Sequence, residues 1–138
     1  MTIAVRYHSR TGNTRKVADA IARALGCSAL DMSQPLPEKA DVLFLCNAMY
    51  AAGVDDAVKQ FIAANASQIG ALCNVCTTAI APSTRKMVQK LASEHGVALL
   101  EEEFRCPGAF AIMHRSRPSA DDLNAAAAFA KRIAGRAR

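Results

Sequence analysis

The chain has no tryptophan, two tyrosines and five phenylalanines among its 138 residues. Its core must therefore rest mostly on aliphatic and small side chains. No apolar run approaches the length needed to cross a bilayer, which excludes a helical membrane span. The five cysteines, Cys27, Cys46, Cys73, Cys76 and Cys106, are odd in number. Met1 leads straight into the first apolar run with no signal-peptide architecture, so we expect a cytoplasmic chain without a disulfide framework. Cys73 and Cys76 form a C-x-x-C, but in a stretch that reads as strand, where residues three apart face opposite sides. Buried, inert thiols are expected there rather than a redox pair or a zinc half-site. No G-x-x-x-x-G-K-[ST] is present, so a nucleoside-triphosphatase loop is excluded. No cysteine has an arginine six residues on, which disfavours a cysteine-dependent phosphatase, and no G-x-S-x-G elbow occurs. His95 follows Glu94 at a helix end, where it reads as structural, and no histidine clusters with a cysteine, so no metal site is expected.

What is present is an apolar, basic chain. Hydrophobic residues make up 51%, enough for a real core, and the length fits one domain spanning 1–138. Seventeen basic residues against twelve acidic give a net charge of +5. Such a surface favours acidic partners by steering. Nucleic acid is not favoured, because no aromatic-interleaved basic patch or helix-turn-helix signal accompanies the charge.

The stretch that organises the chain is His8-Ser9-Arg10-Thr11-Gly12-Asn13-Thr14. It follows the apolar run Thr2 to Tyr7 and opens an amphipathic segment, Arg15 to Leu25. That is strand, hydroxyl-rich loop, helix. Ser9, Thr11 and Thr14 supply hydroxyls, and Gly12 lets the backbone curl without a Cβ penalty. The first amides of a helix are unpaired, and its dipole adds positive potential there. Together these make a site for a phosphate group. Arg15 and Lys16 oppose the dipole in the first turn, an arrangement that a bound anion would turn favourable. His8 begins the loop, where it can bond a phosphate, approach a ligand ring or face water.

Further along, Val17, Ile21, Ala24 and Leu25 share one helical face, and Gly26 ends the helix. Ser28 to Asp31 reads as a second strand. Only about nine residues then precede the third, fewer than a parallel crossover helix usually needs, so the second helix should be a stub or absent. Asp41 to Cys46 is almost continuously apolar, as a strand buried on both faces reads. Arg6, in a first strand that should be buried, needs a partner; Asp31 on the neighbouring strand is the candidate, and a carboxylate from a loop is the alternative. Asp55 and Asp56 open a helix carrying Val58, Phe61 and Ile62. Ala71 to Thr78 is a fourth strand. Ser83 is the expected cap of a helix with Met87, Val88 and Leu91 inward, stopped at His95-Gly96. Val97 to Phe104 is a fifth strand, placed at an edge by Glu101, Glu102 and Glu103 and broken by Cys106-Pro107-Gly108. Ser119 and Asp122 resemble a capping box for a last helix lined by Leu123, Ala126, Ala127, Ala130, Ile133 and Ala134. The alternation predicts a three-layer α/β sandwich on a five-stranded parallel sheet.

Ser9-x-Thr11-Gly12-x-Thr14 after a first strand resembles the phosphate-binding loop of flavodoxins. The loop Asn47 to Gly53 is similar to the second flavin-contacting loop of small flavodoxin-domain proteins, and Thr77 to Ser83 matches the third by position. Cys106-Pro107-Gly108-Ala109-Phe110, with Arg117-Pro118, is similar to the C-terminal pattern of that subgroup. The resemblance implies strand order 2-1-3-4-5 and a site at the switch point between strands one and three. It implies FMN as cofactor, its phosphate on Ser9, Arg10, Thr11, Gly12, Asn13 and Thr14. The ring would lie against Met49 and Tyr50, with main-chain groups of Asn47, Ala48 and Ala79 at its polar edge. The implied function is electron transfer between redox partner proteins. Two departures stand out: flavodoxins are typically acidic, and the third loop, Ala79-Ile80-Ala81-Pro82, lacks an aromatic, leaving Ile80, Phe110 or His114 to compensate. Two alternatives stay open. One is an FMN-dependent oxidoreductase acting on a quinone or porphyrinogen-like substrate received by His114, Arg115 and Arg117. The other is a flavodoxin-like module that has lost its flavin. Oligomeric state is not legible.

Overall fold

The computed structural model describes residues 1–49, 53–78, 83–107 and 117–136. Five strands and four helices follow one another as β1 (Ile3–Tyr7), α1 (Asn13–Leu25), β2 (Ala29–Asp31), β3 (Val42–Ala48), α2 (Asp56–Asn65), β4 (Ala71–Thr78), α3 (Arg85–Glu94), β5 (Ala98–Pro107) and α4 (Ala120–Arg136). The strands form one sheet of order β2-β1-β3-β4-β5, and every pair is parallel. Fold class and strand order are those expected.

Alternation along the central strands divides the core in two. Val5, Phe44, Cys46, Cys73 and Val75 face α1 and α4, meeting Val17, Ile21, Ala130 and Ile133. Leu43, Leu45 and Leu72 face α2 and α3, meeting Val58, Phe61, Ile62 and Val88. β3 is buried along its whole length, as its almost continuously apolar run predicts. α4 also buries Phe129, which the sequence reading left out; its ring packs on Phe104 with centroids 5.8 Å apart. The capping box is in place: Ser119 Oγ accepts the Asp122 N–H at 3.2 Å, and Asp122 Oδ2 accepts the Ser119 N–H at 2.7 Å.

Between β2 and β3 no helix forms, and residues 32–41 cross as turns. Met32 and Leu36 fill the space a helix would otherwise occupy. Arg6 holds this crossing, but not through Asp31. Its Nε donates to the Gln34 carbonyl at 3.0 Å, and its terminal nitrogens donate to Pro35 at 3.1 Å and Val5 at 3.2 Å. Asp31 instead accepts the Ser33 N–H in a local turn. A guanidinium satisfied by carbonyls needs no carboxylate, although burial pulls its pKa down from the ordinary value.

Two further boundaries differ from expectation. β5 runs through Cys106 to Pro107. As an edge strand it pairs on one side only, so a proline at its end leaves the ladder intact. Ser83 stands one residue further out than a cap, with Thr84 preceding α3, yet its Oγ accepts the Arg85 N–H at 2.9 Å.

Candidate functional site

β1 delivers the chain to the carboxyl end of the sheet, where His8 donates its backbone N–H to Cys46 on β3 at 3.1 Å. Ser9 Oγ then accepts the Gly12 N–H at 2.9 Å, closing a tight loop. Gly12 has φ +91°, a conformation that L side chains rarely adopt, and it immediately precedes α1. It offers the helix no side-chain acceptor, and no acidic residue lies in the first turn. The first turn of α1 thus carries no acidic residue of its own, and it stands at the strand order's switch point, the crevice between β1 and β3. This arrangement fits a phosphate group. Thr14 is buried, and its hydroxyl lies 2.9 Å from that of Thr77, tying the helix start to the end of β4. Of the two cations in the first turn, Arg15 lies over the Tyr7 ring at 5.7 Å, with Asp19 3.8 Å away.

The second loop leaves β3 after Ala48. Met49 is partly exposed and donates its N–H toward the Thr77 carbonyl at 3.4 Å. Asn47 is fully buried, and its side chain turns inward. Its Nδ2 donates to Asn74 Oδ1 at 2.8 Å; Asn74 Nδ2 donates to Thr84 Oγ1 at 3.1 Å; Thr84 Oγ1 donates to Asn47 Oδ1 at 2.6 Å. The three side chains close a ring of hydrogen bonds joining β3, β4 and the residue that precedes α3. The Asn47 side chain is thus committed to the protein interior, and its main chain is what the residue has left to offer a ligand. Glu103 completes the cluster, accepting from Asn74 Nδ2 at 3.0 Å and from the Ser83 hydroxyl. A register shift between β4 and β5 brings it there; without it Glu101 would stand opposite Asn74. Tyr50 and Ala79, and with them Ile80, Phe110, His114 and Arg115, lie outside the described residues.

One contact has no forerunner in the sequence reading. Asp55, just before α2, turns its carboxylate onto the first loop. It accepts from Arg10 at both oxygens, with Nε 2.9 Å away, and lies 2.7 Å from His8 Nε2. Arg10, ahead of any effect of burial or of His8, holds the Asp55 carboxyl below its ordinary range. Forty-five residues separate Asp55 from Arg10, so no local spacing could have shown the pair. Arg117, expected to help receive an anionic substrate, is engaged by Asp122, its Nη2 donating to Oδ1 at 2.7 Å.

All five cysteines are free, and all but Cys27 are buried. Burial pushes the thiols of Cys73 and Cys106 up to about 12, and those of Cys46 and Cys76 upward as well. These are not nucleophiles or ligands. Among the described residues no group of three or more His, Cys, Asp or Glu is placed to hold a metal ion. None of their helices is long and apolar enough to cross a membrane.

A parallel sheet of order 2-1-3-4-5 with helices on both faces is a doubly wound α/β domain, whose ligand crevice lies at the switch point between β1 and β3. Residues 4–109 match the flavodoxin domain family, and the chain belongs to it. Among solved structures, an archaeal flavodoxin superposes with a TM-score of 0.80 at 15% identity, covering 99% of both chains. Oxidised flavodoxin 1 of Bacillus cereus gives 0.73 at 17%, covering 98% of both. The flavodiiron core Flv1 of Synechocystis gives 0.76 at 16%; the match spans 99% of this chain and 36% of that larger one. At these identities the likeness is one of fold. No curated protein matches in sequence.

Proposed function

We propose that this chain is an FMN-binding electron-transfer protein of the flavodoxin type. The observation that carries the reading is the start of α1: a left-handed Gly12, no acid in the first turn, and a position at the sheet's switch point. Ser9, Arg10, Thr11, Gly12, Asn13 and Thr14 would hold the phosphate through hydroxyls and amides. Met49 and Tyr50 would flank the ring, and main-chain groups of Asn47, Ala48 and Ala79 would meet its polar edge. Bound there, FMN supplies one- and two-electron chemistry. The protein's part is to fix the loops around it, and the Thr14–Thr77 bond and the Asn47–Asn74–Thr84 ring do so at their roots. The net charge of +5 supports acidic redox partner proteins, and the free, buried thiols support a reducing, cytoplasmic setting.

Purified protein should be yellow, with flavin absorption bands, and apoprotein should quench added FMN fluorescence at one equivalent. A colourless protein that leaves FMN fluorescence unchanged would refute the reading and favour a module that has lost its flavin.

A further inference from the structure

The contact between Asp55 and the first loop has a consequence for ligand choice. Asp55 makes no side-chain cap bond to its own helix. Its carboxylate spans the chain to take Arg10 in a two-point pair and His8 in a third contact. Arg10 and His8 are the basic residues of the loop before Gly12, and both are engaged by one carboxylate that is only 17% exposed. The Arg10–Asp55 pair taken by itself carries no net charge.

We propose that Asp55 is a specificity-determining residue that sets the charge of the phosphate site. Resting on the FMN reading, the inference says how this chain weighs phosphate against the rest of the ligand. Arg10 brings a positive charge to the loop, and Asp55 cancels it. Phosphate affinity then comes from hydroxyls, amides, the α1 dipole and the first-turn cations Arg15 and Lys16, with little added by Arg10. An uncancelled guanidinium would attract any anion within about a Debye length.

The test compares FMN with riboflavin, which has the ring but no phosphate, by fluorescence titration of apoprotein. Asp55→Asn keeps the shape, the position before α2 and an acceptor for Arg10, and asparagine serves as well as aspartate there. It should tighten FMN by about three- to thirtyfold and leave riboflavin within about twofold, the gain shrinking at high salt as a Coulomb effect must. Arg10→Gln leaves the Asp55 charge uncancelled and should weaken FMN by a similar factor, again sparing riboflavin. The double variant should return close to the wild-type preference, since the two charges act on one another. If Asp55→Asn weakens FMN, or shifts FMN and riboflavin alike, Asp55 only props the loop and the inference is overturned. If it fails to fold, Arg10→Gln decides: an unchanged FMN-to-riboflavin ratio overturns it. Wild-type protein that binds neither compound overturns the FMN reading itself, a result distinct from the others.

Discussion

Replacing Thr84 by valine, which has the same shape without the hydroxyl, tests the buried ring most directly. Thr84 is 0% exposed. Its Oγ1 donates to Asn47 Oδ1 and accepts from Asn74 Nδ2. Valine would leave Asn47 Oδ1, in a fully buried residue, without that donor, at a cost of about 1–3 kcal/mol for an unsatisfied buried group. Asn74 Nδ2 keeps Glu103, so its loss is that of one ordinary hydrogen bond, about 0.5–1.5 kcal/mol. Thr84→Val should therefore destabilise the fold by about 2–4 kcal/mol, a fall of roughly 8–16 °C in Tm for a domain of this size. Thr84→Ser keeps the hydroxyl and gives up one methyl, so it should cost only about 1 kcal/mol. Urea unfolding of both variants, with the slope m checked for constancy, supplies the comparison. A Thr84→Val protein as stable as Thr84→Ser would show that the ring does not hold the loop roots together, and the reasoning would fail.

Gly70→Ala should destabilise by about 1–3 kcal/mol in the same assay, because a Cβ there would meet the Asp41 carbonyl oxygen at 2.8 Å and backbone must move. Arg6→Met should loosen residues 32–40, read as faster amide exchange there than in β1, since it strips donors from the carbonyls of Gln34 and Pro35. At pH 8 a thiol reagent should label at most one of the five cysteines, Cys27, in native protein and all five once unfolded. The same thiols predict alkaline sensitivity. Cys73 and Cys106 titrate near 12 when folded against 9.0 ordinarily, so the unfolded chain loses its protons first. Stability is full below pH 9 and falls toward pH 12, by about 1.4 kcal/mol per pH unit for each such thiol. Urea midpoints that stay level from pH 8 to 11 would contradict this.

Much of this was legible because it is local. The strand–loop–helix at His8 to Thr14 and the capping box at Ser119 each sit within a few residues, where spacing and residue type carry the signal. β3 and β4 read as buried strands because both their faces are covered. The rest involves partners far apart in sequence. Asn47 and Asn74 look like polar interruptions of apolar strands until the fold sets them beside Thr84. Glu103 looks like one of three solvated acids until the register shift turns it inward. Arg6 pointed to a carboxylate because charge can be read in a sequence, whereas the carbonyls that satisfy it belong to any residue.

The hydrogen-bonded ring has a consequence for how this chain could diverge. Asn47 stands just before residues 50–52, and Thr84 just after residues 79–82. Whatever is exchanged at positions 50–52 or 79–82, the posts stay fixed to one another through Asn74 by side chains that belong to neither segment. Selection could refit the rim for a new cofactor ring or docking protein as one changes the blade on a handle, without reforging the shaft.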